Sequence, residues 1–326
     1  MAAILNTGEA MDRALGLLAA GDVVAIPTET VYGLAADATR GEAVALIYEK
    51  KGRPRFNPLI AHVSSLDMAR GVADFSPLAE KLAAAFWPGP LTLVLPLAQK
   101  SPVHPLATAG LDTVAVRIPS GFARDLIARL GRPLAAPSAN RSGRVSATSA
   151  AAAVEEFGDT IPLVVDGGPA TVGVESTIVK VADDGLILLR PGGLAAADIE
   201  AVAGRKLRRE TGGAIQAPGM LASHYAPASG VRLNAREVRP GESLLAFGPM
   251  RAAGAAAAAR MLNLSGRGDL REAAANLFSY LRRLDAGEAA TIAVEPIPDE
   301  GLGEAINDRL ARAAAPRPRL EGGVPE

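Results

Sequence analysis

The stretch VVAIPTETVYGLAADA, residues 23–38, places a short apolar run directly before a loop rich in hydroxyl groups. Val23–Ile26 is typical of a buried strand, and the spacing of apolar residues over Glu9–Ala20 predicts a helix before it. The same alternation of short apolar runs with helical periodicity continues to about residue 204. Strands this numerous, interleaved with helices, predict an α/β domain with a large mixed sheet.

The apolar runs predict eight strands in this region: Val23–Ile26, Leu59–Val63, Leu91–Leu95, Val114–Ile118, Leu134–Ala136, Leu163–Val165, Thr177–Val181 and Leu186–Leu189. The helical patterns predict six helices: Glu9–Ala20, Glu42–Lys50, Pro77–Phe86, Phe122–Leu130, Ser149–Phe157 and Ala196–Ala203.

The pattern changes after residue 204. Residues 205–209 form a charge run, and residues 211–230 are rich in Gly, Pro, Ser and Ala without sustained periodicity, which indicates a linker. A second α/β pattern follows, with predicted strands Leu244–Phe247, Met261–Leu264 and Thr291–Val294 and a helix marked by Leu270, Ala273, Ala274, Leu277, Leu281 and Leu284. We therefore expect one domain over 1–204, a linker over 205–230 and a second domain over 231–326.

Composition limits the functional classes. The formal net charge is -1, whereas proteins that mainly hold nucleic acid usually carry a basic excess. The absence of cysteine excludes disulfide scaffolds, thiolate metal sites and cysteine nucleophiles. Glu9 and Asp12 favour an amphipathic helix over a signal peptide, and no apolar run approaches the ~20 residues of a membrane span. We expect a cytoplasmic protein without a membrane partner.

Several common catalytic motifs are missing. The sequence has no GxxxxGK[ST] loop and no GxSxG elbow, and its glycine pairs at 266–268 and 301–303 lack the third glycine of a dinucleotide fingerprint. Its three histidines, His62, His104 and His224, cannot build a metal cluster with cysteine. An enzyme of this composition has to work by positioning and electrostatics.

Polar residues follow the predicted strands repeatedly. Lys51, Arg53 and Arg55 share a proline-stiffened loop that suits a triphosphate, although a solvated surface loop explains it about equally well. Arg117 alternates onto one face of an apolar strand, where a charge is unusual unless it is paired or meets an anion. Further polar segments follow at 27–38, 135–146, 174–178 and 189–192. Each alone fits a turn, cap or surface pair, but six in one domain indicate a ligand site at the strand ends.

Seven segments resemble, in their order along the chain, the YrdC family of ATP-using synthases of tRNA modification. They are PTETVYGLAADA, KGRPRFNPLIAHV, WPGPLTLVL, DTVAVRIP, LAAPSANRSG, DGGPATVGVESTIV and LRPG. The linker segment APGMLASHYAPAS and the segment GLGEAINDRLARAA near the end resemble the long form of that family. The resemblance implies a YrdC-like twisted mixed sheet with helices, a linker that contributes to the active site, and a smaller Rossmann-like C-terminal α/β domain.

The resemblance also implies a reaction. Members of this family join L-threonine, bicarbonate and ATP into threonylcarbamoyladenylate and pyrophosphate, and a separate tRNA threonylcarbamoyl transferase complex uses the adenylate. The carbamate of threonine supplies the attacking oxygen, so that no nucleophile from the protein is needed. Magnesium is expected to accompany ATP, held mostly by phosphates and water rather than by protein ligands.

Matching positions imply the division of the site. The residues expected around threonine are Thr30, His62, Arg117, Ala136 and Ser176. The residues expected around ATP are Lys51, Arg53, Asn57, Thr113, Ser138, Ser146, Arg190 and Tyr225. Of these, Lys51, Arg53 and Ser138 are expected to act in catalysis.

Two other functions fit YrdC-like domains. An RNA-binding or ribosome-associated module is the main alternative, but it leaves a full set of ATP-site residues unexplained, and we expect no stable binding of tRNA. A related carbamoyl-adenylate chemistry, as in hydrogenase maturation, uses zinc fingers that a chain without cysteine cannot form.

Overall fold

The structure is a computed structural model that describes residues 1–182, 184–209, 216–220, 224–287 and 289–316. Its strands are β1 (Ala3–Asn6), β2 (Val24–Ile26), β3 (Gly33–Asp37), β4 (Ile60–His62), β5 (Leu91–Pro96), β6 (Thr113–Arg117), β7 (Leu134–Ala135), β8 (Leu163–Asp166), β9 (Thr177–Ala182), β10 (Gly185–Arg190), β11 (Leu207–Arg209), β12 (Gly230–Arg232), β13 (Ser243–Ala246), β14 (Met261–Asn263) and β15 (Thr291–Val294). Its helices are α1 (Thr7–Ala20), α2 (Gly41–Lys51), α3 (Leu66–Val72), α4 (Pro77–Phe86), α5 (Pro105–Thr108), α6 (Phe122–Leu130), α7 (Ala150–Phe157), α8 (Ala196–Ala203), α9 (Leu270–Asp285) and α10 (Leu302–Ala314). One 3-10 turn covers Ala255–Ala257.

The first sheet has eleven strands in the order β1-β8-β2-β3-β7-β4-β6-β5-β9-β10-β11. Its pairings are mixed: β4 runs parallel to β6 and β5 parallel to β9, whereas β5 and β6 are antiparallel. Buried Val, Leu, Ile and Ala side chains fill the layers between this sheet and its helices. The mixed α/β fold predicted from the sequence is confirmed.

Three strands of this sheet were not predicted from the sequence: β1, β3 and β11. β3 is the fully buried segment GLAAD, whose glycine and alanines carry little strand propensity. β11 lies in the predicted charge run and pairs with β10 at the sheet edge. There the exposed Arg208 and Arg209 bind Asp184 and Glu304, as charged side chains on edge strands commonly do.

The second sheet contains four parallel strands in the order β12-β15-β13-β14. The apolar faces of α9 and α10 bury against it, which confirms the predicted smaller α/β unit. The boundaries 1–204, 205–230 and 231–326 stay a prediction. Among the described residues, no helix combines the length and apolar character that a membrane crossing requires.

The helices of the second sheet dock directly on the first unit. A side chain at Gly173 would place its Cβ 2.3 Å from the Cα atom of Ala275 in α9, so only glycine permits this approach. Arg282 of α9 donates hydrogen bonds to the Val145 carbonyl (2.6 Å) and to Glu156 Oε1 (2.9 Å). The two units therefore pack directly against each other.

Candidate active site

A small cavity lies where β4, β6 and β10 end and where the loops after β2 and β7 approach them. His62 and Arg117 are register partners on parallel β4 and β6, so their side chains leave the same face of the sheet. The cavity is lined by Thr28, Thr30, Val31, Gly33, Arg53, Ile60, His62, Arg117, Ala136, Pro137, Ser138, Glu175, Ser176, Arg190, Pro218, Gly219, His224 and Tyr225.

Described residues of the linker line part of this site: Pro218, Gly219, His224 and Tyr225. Ala217 is buried against Ile60, Val94, Ala115 and Ile178 on the sheet, and Arg190 donates to the Pro218 carbonyl at 3.3 Å. The remaining cavity measures about 40 Å³.

Arg117 is held at one end of the cavity by three hydrogen bonds. Its Nε donates to the Gly89 carbonyl (3.0 Å), its Nη1 to Thr30 Oγ1 (3.0 Å) and its Nη2 to Glu29 Oε1 (2.6 Å). A guanidinium has five N–H donors, so two remain for an anionic ligand. The pairing therefore orients the cation without using all of its donors.

Glu29 is the partner that sequence reasoning missed. Burial alone would raise the pKa of the Glu29 carboxyl, but the charge and hydrogen bond of Arg117 outweigh burial and lower that pKa below its usual range. The Ser120 amide also donates to Glu29 Oε2 at 3.2 Å. Glu29 thus stays ionised and fixes the direction of Arg117.

His62 is neutral in this environment. Burial, and then the positive charge of Arg117, lower the pKa of the imidazole to about 3. The ring nitrogen Nδ1 lies 3.2 Å from the Ile60 carbonyl, which assigns the proton to Nδ1. Nε2 is then a hydrogen-bond acceptor at the threonine end predicted from the sequence.

The buried histidines make the folded state sensitive to acid. Burial also lowers the pKa of His224 to about 3, whereas an unfolded chain binds the proton near pH 6.5. The contribution of the two neutral histidines to the free energy of unfolding is therefore complete above pH 6.5 and is lost as the pH falls towards 3. We expect the unfolding free energy from urea titrations to fall between pH 6.5 and 5 by up to ~1.4 kcal/mol per pH unit for each histidine. His62→Gln should remove about half of this slope; an unchanged slope would contradict the assignment.

Ser176 and Arg190 connect the middle of the cavity to the linker. Ser176 Oγ lies 2.7 Å from Thr92 Oγ1, and Arg190 Nη2 donates to the Ser176 carbonyl at 2.9 Å. Burial lowers the pKa of Arg190, whose guanidinium nonetheless remains a cation in the neutral range.

Two further cations lie at the other end. Lys51, the last residue of α2, donates from Nζ to the carbonyls of Ser138 (2.6 Å) and Asn140. Arg53 donates from Nε to the Asn57 carbonyl (3.1 Å) and from Nη2 to the Pro58 carbonyl (2.8 Å). Burial lowers the pKa of Lys51 well below its usual range, helped by Arg53, and lowers the pKa of Arg53 to about 10.

These cations outnumber the carboxylates around them. Lys51, Arg53, Arg117 and Arg190 are each less than 9% exposed, and Arg309 is a fifth buried cation among the described residues. The carboxylates of the described chain that act on these cations are Glu29, Glu156, Glu175 and Asp308. Burying a cation without a counter-charge is costly, and such sites are typically completed by an anionic ligand. The site therefore fits a substrate with several negative charges.

The structure brings most of the predicted site residues together. All five residues predicted around threonine line the cavity, as do Arg53, Ser138, Arg190 and Tyr225. Lys51, Asn57 and Ser146 are buried, and the side-chain oxygen and nitrogen of Asn57 have no partner in the described structure. Thr113 lies four residues before Arg117 on β6 and does not line the cavity. The individual roles stay predictions.

A second carboxylate was also missed. Glu175 accepts a hydrogen bond from Ser146 Oγ (2.5 Å) on Oε1 and from Arg309 Nε (2.8 Å) on Oε2. Although burial opposes ionisation, Arg309 and Arg190 lower the pKa of Glu175 to about 2. The sequence VESTIV marked this strand end, but nothing in it showed that residue 309 is the partner.

Comparison with known proteins places the chain in a family. The model of the Sua5–YciO–YrdC family, described as telomere recombination, matches residues 16–192. A second model, described as the C-terminal domain of threonylcarbamoyl-AMP synthase, matches residues 194–315. A protein of Bacillus subtilis named threonylcarbamoyl-AMP synthase is 40% identical over 323 residues, which cover 94% of this chain and 93% of that protein.

The chain belongs to the threonylcarbamoyl-AMP synthase family. A family member from Pyrococcus abyssi is 40% identical over 346 residues, covering 97% of this chain and 99% of that protein. The crystal structure of P. abyssi Sua5 complexed with L-threonine superposes with a TM-score of 0.86 at 38% identity, covering 96% of this chain and 97% of that one. The family resemblance and the enzyme class predicted from the motifs are confirmed.

Proposed function

We propose that this chain condenses L-threonine, bicarbonate and ATP to threonylcarbamoyl-AMP and pyrophosphate. The observation that carries the proposal is the set of buried cations around a cavity at the strand ends, in a chain of this family. Threonine's amine and bicarbonate lose water to form a carbamate. A carbamate oxygen then bonds to the α-phosphorus of ATP while the bond to the bridging oxygen breaks and pyrophosphate leaves.

At the threonine end, the protein supplies orientation. The two unused N–H donors of Arg117 face an amino-acid carboxylate, and neutral His62 offers Nε2 as an acceptor to the substrate's polar hydrogens. Thr30 and Ser176 contribute hydroxyl groups, and Ala136 leaves room for the substrate. Holding the carbamate against the phosphate accounts for much of the rate enhancement in such a reaction.

At the ATP end, the protein supplies charge. Lys51 and Arg53 stabilise the negative charge that develops on the transferring and leaving phosphates. No group of three or more histidines, aspartates or glutamates able to hold a metal occurs in the described part of the chain. The side-chain oxygen Oδ1 of Asn140 is buried and has no hydrogen-bond partner in the described structure, and Lys51 donates to the backbone carbonyl of the same residue. This oxygen nonetheless fits a magnesium ion that is held mainly by phosphates and water. The ion would neutralise part of the phosphate charge.

The linker gives the site a closed state. In our proposal it opens to admit substrates and closes over the adenylate, which protects a mixed anhydride from water. The contacts of Ala217 and Arg190 support this role. The product then serves a separate threonylcarbamoyl transferase complex that modifies tRNA in the cytoplasm, and tRNA itself is not held stably by this chain.

Pyrophosphate release should require both L-threonine and bicarbonate, because the attacking oxygen belongs to their carbamate. The purified chain is incubated with ATP, magnesium and each substrate combination, pyrophosphate is quantified, and threonylcarbamoyl-AMP is sought by mass spectrometry. D-threonine serves as the matched control substrate. Equal release without threonine or without bicarbonate would identify simple ATP hydrolysis and refute the proposal.

A further inference from the structure

We propose that Arg309, on α10 of the second unit, is a positioning residue of the active site that holds Glu175 and Tyr225 in place. The inference rests on the proposed function. It gives the second α/β unit a role in the reaction, because α10 packs with that unit's sheet and helix α9.

Arg309 is the largest fully buried side chain of the described chain, with no exposed surface. Its Nε donates to Glu175 Oε2 at 2.8 Å, and its Nη1 donates to Asp308 Oδ2 at 2.5 Å. Glu175 lines the cavity and receives the Ser146 hydroxyl on its other oxygen. A buried arginine from α10 therefore fixes a cavity carboxylate of the first unit.

The same guanidinium lies against the linker. The Arg309 carbon Cζ is 5.0 Å from the centre of the Tyr225 ring, a cation–π contact, and Phe278 of α9 stacks on that ring at 5.5 Å. Tyr225 has a left-handed backbone, with φ of 62°, which a tyrosine adopts only where surrounding contacts impose it.

The backbone on both sides of Tyr225 is tied as well. The His224 amide donates to the carbonyl of Arg312 in α10 at 3.3 Å, and the Ala226 amide donates to the carbonyl of Gly143 in the first unit at 2.9 Å. Helix α10 thus holds this end of the linker by its backbone and by charge, and Phe278 of α9 adds ring packing. Arg309 does not line the cavity itself, so its effect passes through Glu175 and Tyr225.

Arg282 provides a matched control. It too is an arginine on a helix of the second unit, and it too binds a buried glutamate of the first, Glu156, at 2.9 Å. Its hydrogen bonds in the described structure go to Glu155, Val145 and Glu156, and none goes to Glu175 or Tyr225. Removing either arginine takes an ion-pair partner from a buried carboxylate, so both variants should melt at a lower temperature.

The experiment compares Arg309→Met, Arg309→Lys and Arg282→Met in the full chain. We expect Arg309→Met to lower kcat/KM for ATP by about 100-fold, the effect of a misplaced active-site group, and Arg309→Lys to lose less. Arg282→Met should keep the kcat/KM of the wild type. Hydrogen exchange of the peptide that contains Tyr225 should accelerate in Arg309→Met and stay slow in Arg282→Met.

Equal losses of activity in Arg309→Met and Arg282→Met would show that both arginines merely join the two units, and would overturn the proposal. Unchanged exchange around Tyr225 in Arg309→Met would overturn it as well. If Arg309→Met does not fold, Arg309→Lys must show the same contrast with Arg282→Met. Should the wild type form no adenylate, the proposed function fails, whereas the exchange comparison needs no substrate and still tests Arg309.

Discussion

Arg117→Ala should weaken the use of threonine far more than the binding of ATP. The substitution removes the two free donors that we assign to the amino-acid carboxylate. Losing a charge-assisted bidentate contact in a desolvated site costs on the order of 2–4 kcal/mol, or roughly 30- to 1,000-fold in kcat/KM for threonine. The measurement is pyrophosphate release against threonine concentration at saturating ATP, together with the Kd for ATP.

A fall in stability has to be separated from this effect, because Arg117→Ala leaves the partly buried carboxylate of Glu29 without its cation. The double variant Arg117→Ala/Glu29→Gln removes both charges and should regain thermal stability without regaining threonine use. Arg124→Ala is the matched control, since the exposed Arg124 donates to the Ser64 carbonyl outside the cavity. Collapse of ATP affinity with unchanged threonine dependence would show that the proposed division of the site is wrong.

The strands that end at the site were predictable, because each is a short apolar run followed by polar residues. The ion pair that orients Arg117 was not. Glu29 and Arg117 are 88 residues apart, and only the order of strands in the sheet, with β4 between β7 and β6, determines their approach. Sequence spacing indicates which residues leave a strand end, whereas sheet order determines which of them meet.

Thr113 shows that the sequence also does not determine how far along a strand a binding site extends. It shares a face of β6 with Arg117, yet a rise of about 3.3 Å per residue places it some 13 Å away. Its predicted place near ATP therefore depends on how far the nucleotide extends along that face. The described cavity, narrowed by the linker, does not reach it.

The family resemblance implied that the linker contributes Tyr225 to the active site, and residues 211–230 show no periodicity of a packed core. In the structure, Tyr225 lines the cavity and is also part of the apolar cluster of the second unit, which includes Phe278 and Leu277. A composition rich in Gly, Pro and Ala indicates the absence of regular secondary structure, and it says nothing about burial against a neighbouring unit. The ring contacts between residues 225, 278 and 309 arise only from docking.

Lys51 differs from the other cations of the site in having a protonation state that the environment can change. It is 3% exposed, and its ammonium group is bound by two neutral carbonyls. Burial lowers the pKa of Lys51, and Arg53 lowers it further, whereas the phosphates of bound ATP would raise it. ATP binding should therefore take up protons once the pH exceeds the pKa of Lys51 in the free protein, and affinity should weaken as the pH rises through that range.

Lys51→Met should lower kcat/KM for ATP by on the order of 100- to 1,000-fold, the effect of removing one group that stabilises transition-state charge. Lys50→Met is the matched control, because the neighbouring Lys50 donates to the Thr160 carbonyl away from the cavity and should leave catalysis unchanged. Calorimetric titration with ATP in two buffers of different ionisation enthalpy measures the proton uptake, which Lys51→Met should abolish. Equal proton uptake by the wild type and Lys51→Met, or equal activities of the two lysine variants, would remove Lys51 from the ATP site.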